Sequence, residues 1–470
     1  MVRNVRRVAA ILVAGFVFVA LDLAYWHVLE APALAGNMKY NAYRLTADER
    51  NTQRGRILDR NGAVLARSER TPEGFRRVYT YPALATVVGY HDPIYGNSGV
   101  EDAFDEYLAG RAGVGLVGSL RSKLLHAPTV GSDVVLTIDL NLQRAADAAL
   151  GDGPGAIVVL NPRTGEVLAM ASHPYFDPST LGRDWPRLRD SPDHPLLNRA
   201  TQGLYTPGSV FKTVSLAAAL ELGQYAPTTK FTCNDQVVVE GYPIKCDEWV
   251  RGTFDLSYAY AYSCNACFAE VGLRLGGRDL TEYARRFGFE SRIPLEIPTE
   301  PSQVARSDPE RRLIGPLLAS TGFGQGELLA TPLQMALVAA TVGNGGVAPT
   351  PHLVSQVRAG DASVAYSATS KPWRTVIRPE TARLVLDLMV RGVEDGFASP
   401  ARIPGVRVGG KTGTAEVGSG QNTHAWFIGI APADDPQVAI AVVKEHGGGG
   451  ATVATPIARA VIQQALQQSR

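Results

Sequence analysis

A serine hydroxyl becomes a useful nucleophile only when a neighbouring base takes its proton. A lysine can be that base where burial or a second cation lowers its pKa. The segment Pro207-Gly208-Ser209-Val210-Phe211-Lys212-Thr213 offers such a pair. Pro207-Gly208 reads as a turn, and the text through Val214-Ser215-Leu216-Ala217-Ala218-Ala219-Leu220 as a helix ending near Gly223. Ser209 then falls in the first turn, where open backbone N–H groups and the helix dipole favour developing negative charge. Lys212 follows one turn later on the same face. With 23 serines and eight lysines in 470 residues, chance alone supplies about 0.4 Ser-x-x-Lys matches. The motif by itself therefore decides little.

Two further motifs change that balance. Ser263-Cys264-Asn265 is the only Ser-x-Asn in the chain. It supplies a hydroxyl that can shuttle a proton and an amide that can hold both a lysine and a substrate carbonyl, although polar residues at a helix start are ordinarily caps. Lys411-Thr412-Gly413-Thr414 follows the strand-like Val406-Arg407-Val408, and no other lysine in the chain precedes Thr-Gly. On an edge strand, Gly413 would let a substrate backbone lie close and add a strand to the sheet. Lys411, Thr412 and Thr414 could receive a carboxylate, and a backbone N–H of this strand could complete an oxyanion hole with that of Ser209. Each motif alone fits ordinary packing; the three together, in this order, form a serine acyl-transfer set.

The elements that must position these residues are legible in outline. At 470 residues the chain is too long for one ordinary domain. A 45% apolar and 19% charged composition is that of a globular protein, and a net charge of +1 without a long basic run argues against nucleic acid as a partner. Arg3, Arg6 and Arg7 precede an apolar run of 19 residues, Val8 to Trp26, broken only by Asp22. That is close to the ~20 residues needed to cross a bilayer as a helix. The flanking charges place the N-terminus in the cytoplasm and the body outside. Ala33-Leu34-Ala35 has the small-x-small form of a cleavage site, so a signal peptide is the alternative to an anchor.

Residues 27–53 read as a polar connector. From Arg54 to about Leu150 short strands alternate with turns, among them a hairpin at Asn61-Gly62, the strand Val134–Ile138 and the helix Leu140–Leu150. A second unit opens with strands at Ala156–Leu160 and Glu166–Ala171, runs through helix-like text, and closes with strands at Val406–Thr414, Ala425–Ile430 and Val438–Val443 and a helix from about Val453 to Gln468. Strands at both ends with helices between them predict an α+β unit: one antiparallel sheet with its terminal strands adjacent and helices on its faces. Four cysteines fit an oxidising compartment. Cys233 and Cys246 flank a hairpin-like segment and could form a disulfide, while Cys264 and Cys267 would lie one helical turn apart. A four-thiolate zinc site is disfavoured by the wide spacing of the first pair.

From these residues the chain resembles the class B (monofunctional) penicillin-binding proteins, most of all the short actinobacterial penicillin-binding protein A type. The resemblance runs from about Arg54 to the C-terminus. Beyond the three motifs it rests on Arg54-Gly55-Arg56-Ile57-Leu58-Asp59-Arg60-Asn61-Gly62, Gly99-Val100-Glu101, Phe104-Asp105, Asn161-Pro162, Asn198-Arg199-Ala200, Gly322-Phe323-Gly324-Gln325-Gly326, Thr331-Pro332-Leu333-Gln334 and His424-Ala425-Trp426-Phe427-Ile428-Gly429. It implies a cytoplasmic tail (1–7), an anchor (8–26), a connector (27–53), a mostly-β pedestal or dimerisation-like module (54–150) and a transpeptidase domain (151–470) of the serine transpeptidase/β-lactamase-like fold.

The resemblance implies that Ser209 attacks the penultimate D-Ala carbonyl of a peptidoglycan stem peptide ending D-Ala-D-Ala. Lys212 would take the serine proton, Ser263 would pass a proton to the leaving D-Ala, and Asn265 would orient Lys212 and the substrate amide. Lys411, Thr412 and Thr414 would grip the terminal carboxylate beside Gly413, with the oxyanion on the N–H groups of Ser209 and Thr414. β-Lactams would acylate Ser209, a membrane glycan polymerase is the implied partner, and no metal or organic cofactor is required. Cys264 stands where other members of the motif set carry Asp. The roughly 100 residues before the catalytic unit are too few for a glycosyltransferase. A D,D-carboxypeptidase, with water as acceptor, shares every motif. A β-lactamase would need a Glu-x-x-Leu-Asn deacylating pattern that is missing from the sequence, and a non-catalytic scaffold or β-lactam sensor would be expected to lose a motif residue or to gain a cytoplasmic domain.

Overall fold

A computed structural model of the chain describes residues 2–26, 52–112, 129–245, 250–305, 313–418 and 420–468. The Ala33-Leu34-Ala35 segment, almost all of the 27–53 connector and Cys246 lie outside the described residues.

Helix α1, Val2–Ala24, comes first. Its Asn4–Ala24 stretch has a mean hydropathy of 2.2, is long and apolar enough to cross a membrane, and buries none of its surface against the rest of the chain. Next come strands β1 (Ile57–Leu58), β2 (Val64–Thr71) and β3 (Gly74–Tyr79), then β4 (Asp133–Leu136) and helix α2 (Leu140–Leu150). The β1–β2 connection is the hairpin expected at Asn61-Gly62: Gly62 takes φ +88°, and Asp59 Oδ1 receives the N–H groups of Asn61 (2.9 Å) and Ala63 (2.7 Å). β4 lies parallel to β1, which two neighbouring strands can do only through a long crossover.

The second unit contains β5 (Gly155–Leu160), β6 (Val167–His173), α3 (Lys212–Glu221), β7 (Lys230–Cys233), β8 (Gly252–Asp255) and α4 (Asn265–Arg286, interrupted at Gly276). It continues through α5 (Pro332–Gly343), β9 (Val354–Arg358), β10 (Val364–Ser367), α6 (Pro379–Glu394), β11 (Gly409–Ala415), β12 (His424–Ala431), β13 (Val438–Lys444) and α7 (Thr455–Gln468). The main sheet has the order β6-β5-β13-β12-β11 and is antiparallel throughout, so the terminal strands meet at the β5–β13 pair, as the sequence pattern requires. β12 is buried at all eight positions because helices cover both faces: α5 packs with α3 and α4 on one side, α2 and α7 on the other. β11 is left as the edge strand.

The N-terminal sheet, β10-β9-β4-β1-β2-β3, takes its last two strands from residues 354–367. The chain therefore passes between the two sheets three times, once at α2 and then out to β9 and β10 and back to β11. Beneath the N-terminal sheet sits a charge cluster. Arg54 donates to Glu101 (2.9 Å) and Asp105 (2.7 Å), and Arg77 donates to the other Glu101 oxygen (2.5 Å), with Glu101 wholly buried. Burial pushes the Glu101 carboxyl up, but Arg77 and Arg54 outweigh it and hold the carboxyl below its usual value.

Glu101→Gln strips the two buried guanidinium groups of their shared charge and should cost about 3–5 kcal/mol in denaturant unfolding at neutral pH. Because the folded pKa is depressed, the contribution of Glu101 is present above the ordinary carboxylate pKa and is lost as pH falls through the folded value. The gap between wild type and Glu101→Gln should thus narrow in acid, and a gap independent of pH would contradict the assignment.

Candidate active site

Residues Gly208–Phe211 form a 3-10 turn that runs directly into α3, so Ser209 sits at a helix start as expected. The turn is clasped from two sides. Gly208 has φ +56°, and a Cβ there would lie 2.9 Å from Thr414 O on β11. Gly324 has φ +93°, and a Cβ there would lie 1.8 Å from Gly208 O, while Gly208 N–H donates to Gly324 O at 2.9 Å. Any side chain at either position would push the nucleophile off the edge strand.

Lys212, fully buried, faces four oxygens: Asn265 Oδ1 and Ser263 O at 2.6 Å each, Ser209 Oγ at 3.0 Å and Ser263 Oγ at 3.1 Å. The two shortest contacts go to oxygens that can only accept. They occupy two N–H bonds, and the remaining tetrahedral direction faces the two hydroxyls. A neutral amine in this position presents its lone pair to the Ser209 and Ser263 hydroxyls. Lys411, 2% exposed, donates to Ser263 Oγ at 2.9 Å and to Thr412 O at 3.1 Å. Burial, and then the nearby Lys212, push the Lys411 ammonium well below its usual pKa. Its head is turned inward to the serine hydroxyl rather than outward to a carboxylate. Each ammonium also lies 5.6 Å from an aromatic ring centre, Phe268 for Lys212 and Tyr260 for Lys411.

Ser263 adopts φ +60°, an uncommon conformation for a residue with a side chain. It is what turns both its carbonyl and its hydroxyl on Lys212. Cys264 then caps α4, its sulfur accepting Cys267 N–H at 3.2 Å. Thr412 is 6% exposed, whereas Thr414 is exposed at the strand edge and its hydroxyl accepts Gly450 N–H at 3.2 Å. A Cβ on Gly413 would press to 3.0 Å on Pro207 O and on Trp426 Cβ, so this strand and the nucleophile turn need a glycine to touch. All the motif residues named from sequence converge on one cleft.

Residues that sequence reasoning left out hold this cleft from behind. Glu445 Oε1 receives Tyr205 Oη and Arg199 Nε, each at 2.7 Å. Arg199 is 4% exposed and spends its other donors on the carbonyls of His194 (3.1 Å) and Asp193 (2.7 Å). Tyr205 pairs in both directions with Ala330, and Trp426 Nε1 donates to Thr206 O at 3.0 Å. Glu445 thus tethers the segment leading to Ser209, while the loop after Glu445 carries Gly450 to Thr414. Arg199 lies within a resemblance motif, but nothing about a single acidic residue at a strand end marks Glu445.

The described cysteines agree with the sequence reading, and Cys246 lies outside the described residues. Cys233 is disulfide-bonded, Cys264 and Cys267 are reduced thiols, and the Sγ atoms of Cys233, Cys264 and Cys267 lie within 4.8 Å of one another. With Cys233 in a disulfide, the cluster lacks the thiolates for a zinc site.

Comparison with known proteins agrees with this geometry. Residues 155–463 match the penicillin binding protein transpeptidase domain, and residues 54–134 the penicillin binding protein A dimerisation domain. The peptidoglycan D,D-transpeptidase PbpA of Mycolicibacterium smegmatis is 35% identical, with 99% of each chain covered, and that of Mycobacterium tuberculosis is 34% identical at the same coverage. The structure of penicillin-binding protein A from M. tuberculosis as a ceftriaxone acyl-enzyme superposes with a TM-score of 0.83 at 34% identity, covering 89% of this chain and all of that one; its penicillin G acyl-enzyme gives 0.81.

Tyr205→Phe deletes one hydroxyl and leaves the Arg199–Glu445 pair intact. Loosening the nucleophile segment in this way should slow the second-order reaction with benzylpenicillin about tenfold with little loss of thermal stability. An unchanged acylation rate would show that the Glu445 tether has no part in positioning Ser209.

Proposed function

The chain belongs to the penicillin-binding protein transpeptidase family, and from that premise we propose how its residues carry the reaction. The protein is a serine D,D-transpeptidase of peptidoglycan that forms acyl-enzymes with β-lactams. Ser209 attacks the carbonyl between the two D-Ala residues of a stem peptide. Lys212, as the neutral amine, takes the Ser209 proton; its convergence with Ser209, Ser263 and Asn265 carries this reading. The N–H groups of Ser209 and Thr414 receive the oxyanion. Ser263, bridging Lys212 and Lys411, delivers the proton to the departing D-Ala, and a neighbouring stem-peptide amine or water then takes the acyl group. Asn265 fixes Lys212 and the substrate amide. The exposed Thr414, with Thr412 and Gly413, receives the backbone and carboxylate of the substrate along the open edge of β11, with buried Lys411 behind them held to the Ser263 hydroxyl.

The domain organisation we propose is a cytoplasmic tail (1–7), a membrane anchor (8–26), a connector (27–53), a pedestal module (54–150) and a transpeptidase domain (151–470), with the catalytic unit outside the cell membrane. The unburied apolar surface of α1 supports the anchor. A membrane glycan polymerase is the proposed partner. Replacing residues 1–53 with an unrelated anchor should abolish its co-purification, and unchanged binding would remove the anchor from the interface.

Intact mass after exposure to benzylpenicillin should show one drug adduct on the wild type and none on Ser209→Ala. Lys212→Ala should acylate about a thousandfold more slowly, the scale of a lost general base. An adduct that survives on Ser209→Ala would refute the assignment of the nucleophile.

A further inference from the structure

The loop after β13, Glu445-His446-Gly447-Gly448-Gly449-Gly450, touches both halves of the cleft. Glu445 at one end holds Tyr205 and Arg199, and Gly450 N–H at the other donates to the Thr414 hydroxyl at 3.2 Å. Four consecutive glycines have little conformational preference of their own, so the shape of the loop depends on what it is bonded to. Its bonds run to the start of β12 and the turn before it. Gly448 N–H donates to Thr423 O at 2.9 Å, and Gly448 O accepts the Thr423 hydroxyl at 2.8 Å. His446 Nδ1 lies 3.0 Å from Asn422 O, and His446 N–H meets His424 Nδ1 at 3.1 Å. His446 also takes φ +50°, which a residue with a side chain keeps only where its surroundings impose it.

These partners fix the proton positions on both rings. Asn422 O can only accept, so His446 Nδ1 carries a proton; His446 N–H can only donate, so His424 Nδ1 carries none. His424 is 7% exposed and lies opposite Ala415 on β11, its ring packed edge to face with Tyr205 and His446 at centre distances of 5.5 and 4.9 Å. The charged and titratable groups around it are Glu445 and His446 on the loop, with Arg199 and Tyr205 both bonded to Glu445. Lys444 on β13 is turned to the carbonyls of Leu150, Asp152 and Gly153, and Glu416 beyond Ala415 is exposed. Burial, and then His446, hold the His424 ring below its usual pKa of 6.5, with Glu445 opposing them.

We propose that His424 is a positioning residue for acyl transfer, a latch whose neutral ring pins the glycine loop through the His446 N–H and whose protonation unpins it. A proton on Nδ1 would set donor against donor across 3.1 Å, and the loop must then move. Its two ends deliver that movement to Tyr205, ahead of the nucleophile, and to Thr414, on the strand that receives the substrate. Because the folded pKa is lowered, the neutral form persists below the ordinary histidine value and is lost as pH falls through the folded one. The slowing of chemistry rests on the acyl-serine reading above; the latch itself does not.

The test uses the full-length protein in detergent, between pH 8 and pH 5. His424→Asn keeps an acceptor near the place of Nδ1 and cannot titrate. Each benzylpenicillin acylation rate is divided by the same protein's rate at pH 8, and Lys212, which titrates in both proteins, cancels from their ratio. By pH 5 the wild type should have lost about tenfold more rate than His424→Asn, the scale of a sub-ångström misplacement. Its melting temperature should fall relative to the variant over the same range, since the unfolded chain takes up the His424 proton first. His446→Asn tolerates a positive φ and removes the ring that lowers the His424 pKa, so it should move the extra acid loss to higher pH. That variant carries the comparison if His424→Asn fails to fold. A melting-temperature gap independent of pH would overturn the latch, and a gap that opens in acid with matching acylation profiles would overturn the positioning role. Disappearance of the extra acid loss in His446→Asn would place the titration on His446 and overturn the choice of His424. Proteins that acylate at no pH, while the gap still opens in acid, would leave the latch standing and count against the acyl-serine reading alone.

Discussion

Two lysine ammonium groups, those of Lys212 and Lys411, are withdrawn from water and meet at one hydroxyl, that of Ser263. Two full positive charges so close together and so deeply buried would repel each other and forgo hydration worth several kcal/mol each. The arrangement is tolerable only if one of them sheds its proton, and that is the condition under which a lysine can serve as a base. The carbonyl oxygens of Asn265 and Ser263 occupy the N–H bonds of Lys212, and the faces of Phe268 and Tyr260 lie beside the two ammonium groups. The strained backbone of Ser263, the glycines at 208, 324 and 413 and the burial of Lys411 all follow from the need to bring α3, the start of α4 and β11 to that point.

The fold supports this convergence from behind. β11 is an edge strand, so its outer side remains open to an extended peptide, while the largely apolar β12 and β13 back it. Trp426 on β12 and Glu445 just beyond β13 reach under the sheet edge to hold the Tyr205–Thr206 segment, fixing nucleophile and strand to one frame. The N-terminal sheet is tied to that frame through α2 and again because residues 354–367 leave the catalytic unit to complete it and then return. The buried cluster of Arg54, Arg77, Glu101 and Asp105 ties β3 and the chain ahead of β1 to the helical segment at 99–108.

The middle residue of the second motif is turned away from the reacting groups. Cys264 lies between the two residues that grip Lys212, and its side chain points away from the cleft into a pocket of sulfur. An aspartate at that place would be a buried charge among apolar neighbours, whereas a thiol is buried there at little cost.

The sequence by itself determined the reacting residues and the class of fold, because both are written locally. Ser209 and Lys212 share one helical turn, Ser263 and Asn265 one helix start, and Lys411 to Thr414 one strand; period and turn signals marked β5, β6, β12, β13, α2 and the Asn61-Gly62 hairpin to within a few residues. Only the tertiary structure decided what depends on segments far apart in the chain. It turned Lys411 inward to Ser263 across 148 positions and set Glu445 against Tyr205 across 240. It lent β9 and β10 to the N-terminal sheet, and it drew Cys233 beside Cys264 and Cys267. Hydrophobic period and capping act over a few residues and leave a local imprint. The partner of a buried charge or a sulfur is set by which helices and strands pack together, and no short stretch of sequence carries that information.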